Sequence, residues 1–322
     1  MEDFIYYLQS KNHSTTTQKA YLRNVNLFLE WYADSYRQEP INCTKKDVLK
    51  YLEYLQNKKQ QDNITRRNSL IAINHYFTFL LQNEEVSSNP TALLKIRGTH
   101  KRQLYKIYTA EELTQLYDNY YHTFISNFDT LCYAPKLGGI QVNQIEKSLL
   151  ARQRNYIMLG LLFYQGLATN ELQRITINDI YTNRGTVKID SSKKSNERTL
   201  PLKASQIGAM INYIENIRPK FFTYCEERES LFFALPESSK QKTNATNLMH
   251  TFKPLTKQVK SIDKNLLNFK QIRASVITQW LKVEGLRKTQ YLAGHRYISS
   301  TEKYLPNEID GLIEDIAKFN PF

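Results

Sequence analysis

Apolar residues recur every three or four positions through most of this chain and alternate in only one place. After the polar run Ser14-Thr15-Thr16-Thr17, which can cap a helix, Tyr21, Val25, Phe28, Leu29 and Tyr32 fall on one face of QKAYLRNVNLFLEWYADSY. Thr44 or Lys45 opens a second helix, KKDVLKYLEYLQNK. Asn63 or Thr65 opens a third, TRRNSLIAINHYFTFLLQNE, with Leu70, Ile73, Phe77 and Leu80 or Leu81 inward. Ser88-Asn89-Pro90 starts a short last helix. Residues 1–95 therefore read as a bundle of four or five helices. Residues 96–108, IRGTHKRQLYKIY, lack periodicity and read as a basic linker.

Residues 109–322 form the second domain. Thr109-Ala-Glu-Glu supplies a cap and first-turn acids to a helix. The stretch 120–150 has no clear pattern until it runs into a helical EKSLLARQRNYIMLGLLFYQG. Alternation then appears: Val187 and Ile189 lie on one arm of a β-hairpin, SSKKSNE turns, and RTLPL returns. Helices follow at 203–217, 244–260, 270–284 and 287–293, with LFFAL at 231–235 as a short strand or buried connector. The tail EIDGLIEDIAKFNPF is a short amphipathic helix. The fold class is mainly α with a small β-hairpin, an α+β arrangement in two domains.

Charge narrows the partners. With 44 Lys and Arg against 31 Asp and Glu, the net charge is +13, which suits a polyanion: nucleic acid first, an anionic membrane second. No apolar run approaches the ~18 residues of a membrane span, so no membrane partner is expected. MEDFIYYLQS carries early acids and does not resemble a signal peptide. Cys43, Cys132 and Cys225 are far apart and odd in number, giving neither metal spacing nor a disulfide framework; a reducing cytoplasm is the expected setting. Arg97, Lys101, Arg102 and Lys106 in the linker would suit a strap along a phosphate backbone. Thr65-Arg66-Arg67 opens a helix, where backbone amides and arginines can both meet phosphates.

The chemistry is concentrated near the end. Leu292-Ala293-Gly294-His295 is followed nine residues after the histidine by Tyr304, and Arg273 stands twenty-two residues before that histidine. An arginine, a histidine and a late tyrosine in this order can hold a phosphodiester and attack it. A phenol of pKa about 10 is a poor nucleophile unless its surroundings polarise the phosphate and help its proton leave.

AGHRYISSTEKYLP resembles the histidine box and tyrosine of the tyrosine recombinases, the phage-integrase and Xer-type site-specific recombinases. KQIR at 270–273 resembles the second arginine box, SKKSNERTLPL at 192–202 the hairpin carrying the family's lysine, and QGLATNELQRITINDI at 165–180 the first arginine box. Four such fragments in order, from Ala151 to Pro306, resemble the catalytic domain; residues 1–95 resemble the helical core-binding domain.

The resemblance implies that Tyr304 attacks the scissile phosphate to form a 3′-phosphotyrosyl link and release a 5′-hydroxyl. Neither ATP nor a metal or other cofactor is required. Arg273 offers a planar fork to two phosphate oxygens. His295 and Lys270 donate to the same oxygens, and Lys193 on a mobile hairpin, or its neighbour Lys194, protonates the leaving oxygen. Glu171 orients neighbouring cations. DNA contacts are implied on the first helix of residues 1–95, near Thr16, Lys19 and Arg23, and on the helix that opens with Thr65, Arg66 and Arg67. The partners are double-stranded DNA with paired sites and three further copies of the chain, the C-terminal helix packing into a neighbour. The biological setting would be a mobile element, or plasmid or chromosome maintenance.

Two positions depart from the pattern. The second box opens with Lys270 instead of histidine. The first arginine falls on Ala168, and losing such a donor typically costs about 3–4 kcal/mol, or ~10²–10³ in rate. Some integrases of mobile elements lack an arginine here and still recombine, so a compensating cation is expected, with Arg152, Arg154, Arg174 and Lys194 nearest in sequence. Two rival readings are a catalytically degenerate DNA-binding or architectural protein, which Ala168 supports, and a type IB topoisomerase-like relaxing enzyme.

Overall fold

The computed structural model describes residues 1–98, 106–126, 142–193, 195–235 and 248–305. The chain divides into two compact units, Met1–Gln103 and Leu104–Phe322. Lys101, Arg102, Cys132, Lys194, residues 127–141 of the 120–150 stretch and the C-terminal tail lie outside the described residues.

The first unit has four α-helices among its described residues: α1 (Glu2–Ser10), α2 (Thr15–Tyr36), α3 (Lys45–Asn57) and α4 (Asn63–Gln82). Polar caps set three of the starts. Ser14 accepts from the Thr17 amide, Thr44 and Asp47 form a capping box, and Asp62 accepts from the Thr65 amide at 2.8 Å. Phe28, Tyr32, Tyr51 and Phe77 form an aromatic core between α2, α3 and α4. The sequence pattern did not announce α1, a helix of two and a half turns that buries only Phe4 and Leu8, against Val25 and Ala72. The helix expected from Ser88 is only a turn. Asn89 Oδ1 accepts from the Thr91 amide and hydroxyl, while its Nδ2 reaches Asn74 and Thr78 on α4, so side-chain bonds replace a helical ladder.

The second unit is built around α6 (Val142–Tyr164), which follows α5 (Ala110–Tyr121) and whose Met158, Leu159, Leu161, Leu162 and Phe163 are all buried. A helix apolar on nearly every side belongs inside a core. The short α7 (Thr169–Leu172) leads to a three-stranded antiparallel sheet of β1 (Ile180–Tyr181), β2 (Thr186–Ile189) and β3 (Arg198–Pro201), in that order. Helices α8 (Ala204–Asn212), α9 (Met249–Ile262), α10 (Phe269–Ala293) and α11 (Ile298–Glu302) complete it. Residues 231–235 are a connector, with Leu231, Phe232 and Phe233 buried. The span α10 is two helices joined across a kink at Gly285, whose φ of 72° and ψ of 173° are not helical, in line with the two stretches expected at 270–284 and 287–293.

The last residues of the expected linker pack on the second unit. Tyr108 is buried; its amide donates to Ser275 and its carbonyl accepts from Gln279 on α10. Lys106 pairs with Glu112 at 2.7 Å. The fold is thus mainly α with one small sheet.

Candidate active site

Helix α10 opens with Asn268, whose side chain accepts from the Lys270 and Gln271 amides, and this cap sets the register that carries Arg273 inward one turn later. Arg273 is held by backbone. One terminal nitrogen donates to the Gly166 carbonyl at 2.5 Å and the other to the Ala293 carbonyl at 2.7 Å. Gly166 offers that carbonyl from a left-handed turn (φ 56°), where a Cβ would stand 3.0 Å from Val276. The guanidinium also lies 3.4 Å from Glu171, and its side chain keeps 15% of its exposure. With five N–H donors and three protein acceptors, the exposed edge still has donors for an incoming oxyanion.

Glu171, on α7, is the hub. Its Oε2 accepts from the Ala168 amide at 2.8 Å, and its two oxygens take a bidentate fork from Arg198 at 2.8 and 3.0 Å. Burial pushes the carboxyl pKa up, but Arg198, Arg273 and the Ala168 amide outweigh it and hold it below the usual range. The side chains of Arg198 and Glu171 are 0% and 3% exposed, so this pair lies entirely inside the protein.

Helix α10 ends at Gly294 in the left-handed conformation (φ 70°), which turns the chain so that His295 faces back toward Arg273. His295 Nδ1 pairs with the buried Thr301 hydroxyl at 2.9 Å. Its ring stacks on Tyr304, with planes within 10° and centroids 5.9 Å apart. Burial first, then Arg273 and Arg198, lower the imidazole to about 4, so His295 is neutral near pH 7. Tyr304 sits just beyond α11 on an apolar cluster with Ile277, Leu281 and Ala293. Burial lowers the Arg273 pKa, and both Glu171 and the Tyr304 phenol oppose that shift, so phenol and guanidinium share one site in one chain.

The hairpin tip is stitched to the same place. The Asn196 amide donates to the Gly294 carbonyl at 2.9 Å, Ser195 bridges to His295, and Arg296 donates to the Ser192 carbonyl at 2.8 Å. Lys193, at the apex, is exposed. The hairpin expected to be mobile is tethered on this side.

The structure brings together Arg273, His295, Tyr304 and Glu171, and sets Lys193 on the adjoining tip. Lys270 is exposed one turn before Arg273, and its ammonium makes no hydrogen bond or ion pair among the described residues. In the first unit Lys19, Arg23 and Arg67 are exposed on α2 and α4. Arg66 is occupied: its guanidinium donates to the Leu52 carbonyl and to Asn63, which ties α4 to α3.

None of the described cations named as substitutes for the missing arginine reaches Glu171. Arg152 donates to the Phe124 carbonyl, the buried Arg154 to Phe233 and Asn155, and Arg174 to Ser191 and Asn170. The residue that does, Arg198, was missed. Its signal was a charged residue at an inward position of an alternating strand: Arg198 and Leu200 are buried, Thr199 and Pro201 exposed.

Comparison with known proteins identifies the family. Residues 139–309 match the phage integrase family, and residues 1–85 match the phage integrase N-terminal SAM-like domain. The TnP I resolvase of Bacillus thuringiensis is 22% identical over 312 residues, covering 96% of this chain and 95% of its own. Tyrosine recombinase XerD of Halalkalibacterium halodurans is 24% identical over 324 residues, covering 100% and 97%. Among solved structures, XerH site-specific recombinase bound to a palindromic difH substrate has a TM-score of 0.66 at 17% identity, covering 95% and 81%. The Tn1549 transposon integrase in complex with a circular intermediate DNA has a TM-score of 0.63 at 14% identity, covering 94% and 93%. The family match spans more than half of the chain, which therefore belongs to the phage integrase family of tyrosine recombinases, DNA strand transferases that act in site-specific recombination.

Proposed function

We propose that this chain cuts and rejoins DNA at paired specific sites through a 3′-phosphotyrosyl intermediate on Tyr304. The observation that carries the reading is the meeting of Tyr304 with His295 and Arg273 inside one chain. Charge supports it. Arg198 and Arg273 against Glu171 leave one positive charge unneutralised beside a neutral His295, and a phosphodiester brings one negative charge.

In the reaction, the bond from Tyr304 Oη to phosphorus forms as the bond from phosphorus to the 5′-oxygen breaks. One proton moves, in net, from the phenol to the 5′-oxygen, delivered there by Lys193. The count of phosphodiester bonds is unchanged, so a second 5′-hydroxyl can reverse the step on another strand without ATP. Arg273 stabilises the charge building on the non-bridging oxygens, and His295, held by Thr301, donates to the same oxygens through Nε2–H. Lys270 adds a long-range cation at the mouth of the site.

Lys19, Arg23 and Arg67 in the first unit, with Lys101 and Arg102 of the linker, would meet the DNA backbone. Four copies would assemble on two sites in the cytoplasm, each tail packing on a neighbour, in the service of a mobile element or of plasmid or chromosome maintenance. The degenerate alternative rested on Ala168; Glu171 nonetheless has a full guanidinium partner, which favours a working site.

The test is incubation with nicked duplexes carrying the DNA that flanks the chain's own gene, followed by a denaturing gel. Wild type should form a protein–DNA adduct, and Tyr304→Phe should bind the same duplex without forming one. Binding by wild type with no adduct would sink the strand-transfer reading. An adduct that survives Tyr304→Phe would reassign the nucleophile.

A further inference from the structure

We propose that Arg198 does the work of the arginine missing at position 168, as a positioning residue that enters from strand β3 instead of from the start of α7. The inference rests on the strand-transfer reading above.

The two positions converge on one carboxylate. Ala168 lacks the side chain, but its amide still touches Glu171 Oε2 at 2.8 Å. Arg198 arrives from the other side and grips both oxygens of that carboxylate. Arg273 then meets Oε2 at 3.4 Å, so Glu171 links the buried cation to the one that faces substrate.

The fit is close enough to be a built feature. The β2–β3 register pairs Arg198 with Ile189, and alternation turns it into the core. A buried arginine at such a position is costly without a partner, and two parallel N–H···O bonds supply one. Its guanidinium lies against the backbone of Gly294: a Cβ there would stand 2.4 Å from Nη1 and 2.9 Å from Cζ. Arg198 therefore sits directly beneath the residue that aims His295. Its side chain has no exposed surface, so it acts on the phosphate through Glu171, Arg273 and the placement of His295, without touching it.

The experiment compares wild type, Arg198→Ala, Arg198→Lys and the double variant Ala168→Arg/Arg198→Ala. The probe is a nicked duplex that wild type recovers from a random-sequence pool. Non-covalent affinity, adduct rate and thermal midpoint are read for each. Arg198→Ala should slow adduct formation by ~10²-fold, the scale for losing a preorganised group. Its DNA affinity should stay within about tenfold, because binding is spread over many phosphates. Arg198→Lys should recover only part of the rate, because an ammonium cannot pair both carboxylate oxygens. An arginine at 168 should restore at least about tenfold of the loss, a rescue that mere hairpin packing at 198 would not give.

A wild-type rate in Arg198→Ala overturns the proposal, as does a folded double variant that recovers nothing. If Arg198→Ala does not fold, a folded Arg198→Lys that cleaves at the wild-type rate overturns it instead. Wild type that binds the probe and forms no adduct overturns the strand-transfer reading itself, and this inference with it.

Discussion

Replacing Gly294 by alanine tests the packing beneath His295 with a single methyl group. Two costs arise. At φ 70° a residue with a Cβ is strained by about 1–2 kcal/mol. The new Cβ would also stand 2.4 Å from Arg198 Nη1 and 2.9 Å from Cζ. An arginine tip usually swings away from such a clash. This one cannot do so cheaply, because its side chain is 0% exposed and both terminal nitrogens are on Glu171. Displacing it breaks a buried ion pair, a loss on the order of 3–5 kcal/mol when complete. Gly294→Ala should therefore destabilise the second unit by about 3–5 kcal/mol, strain and partial loss of the pair together. In an Arg198→Ala background the clash is gone, and only the strain of about 1–2 kcal/mol remains. The chain has two tryptophans, Trp31 in the first unit and Trp280 in the second. Urea unfolding followed by Trp280 fluorescence in a Trp31→Phe background reports the second unit alone. Equal costs of Gly294→Ala in both backgrounds, within about 0.5 kcal/mol, would refute the reasoning, since contacting residues should couple by more.

Further outcomes follow from the same site. Arg273→Lys keeps the charge and loses the fork that spans the Gly166 and Ala293 carbonyls; adduct formation should fall by ~10²–10³, and a rate within about threefold of wild type would argue against oxyanion contact by Arg273. His295 is lowered to about 4 from an ordinary 6.5. The unfolded chain thus takes up a proton that the folded chain refuses, and stability is lost as pH falls from 6.5 to about 4. His295→Gln should flatten urea midpoints across that window; an unchanged slope would place the titration elsewhere. Asp62→Ala removes the cap on the Thr65 amide and should cost the first unit about 1 kcal/mol, read from Trp31 fluorescence.

Helix faces were legible because burial imposes a period. Val25, Phe28 and Tyr32, or Leu70, Ile73, Phe77 and Leu80, are buried where the pattern set them, and the Leu80 or Leu81 choice resolves to Leu80, with Leu81 exposed. Elements with little core were not legible. α1 buries only two side chains, and the turn at Asn89 is made by an amide side chain that reads in sequence as a helix start. Arg273, His295 and Tyr304 could be found because α10, the turn after it and the short α11 carry them at fixed spacings. Arg198 could not be found that way. It lies thirty residues after Ala168, on a different element, and only the strand register and the shared carboxylate bring the two positions together. Linear spacing encodes contacts along a helix; it does not encode a side chain that crosses from a sheet.

The hairpin carries Arg198 in the strand pair next to its turn and Lys193 at its tip, five residues apart, with Asn196 bonded to the Gly294 carbonyl between them. Lys193, the buried Arg198 and the histidine turn are thereby fastened along a single short length of chain. A hairpin that peeled back as far as β3 would loosen the grip of Arg198 on Glu171. Backbone amides on both sides of the seam, those of Asn196 and His295, should then exchange with solvent as one cooperative unit.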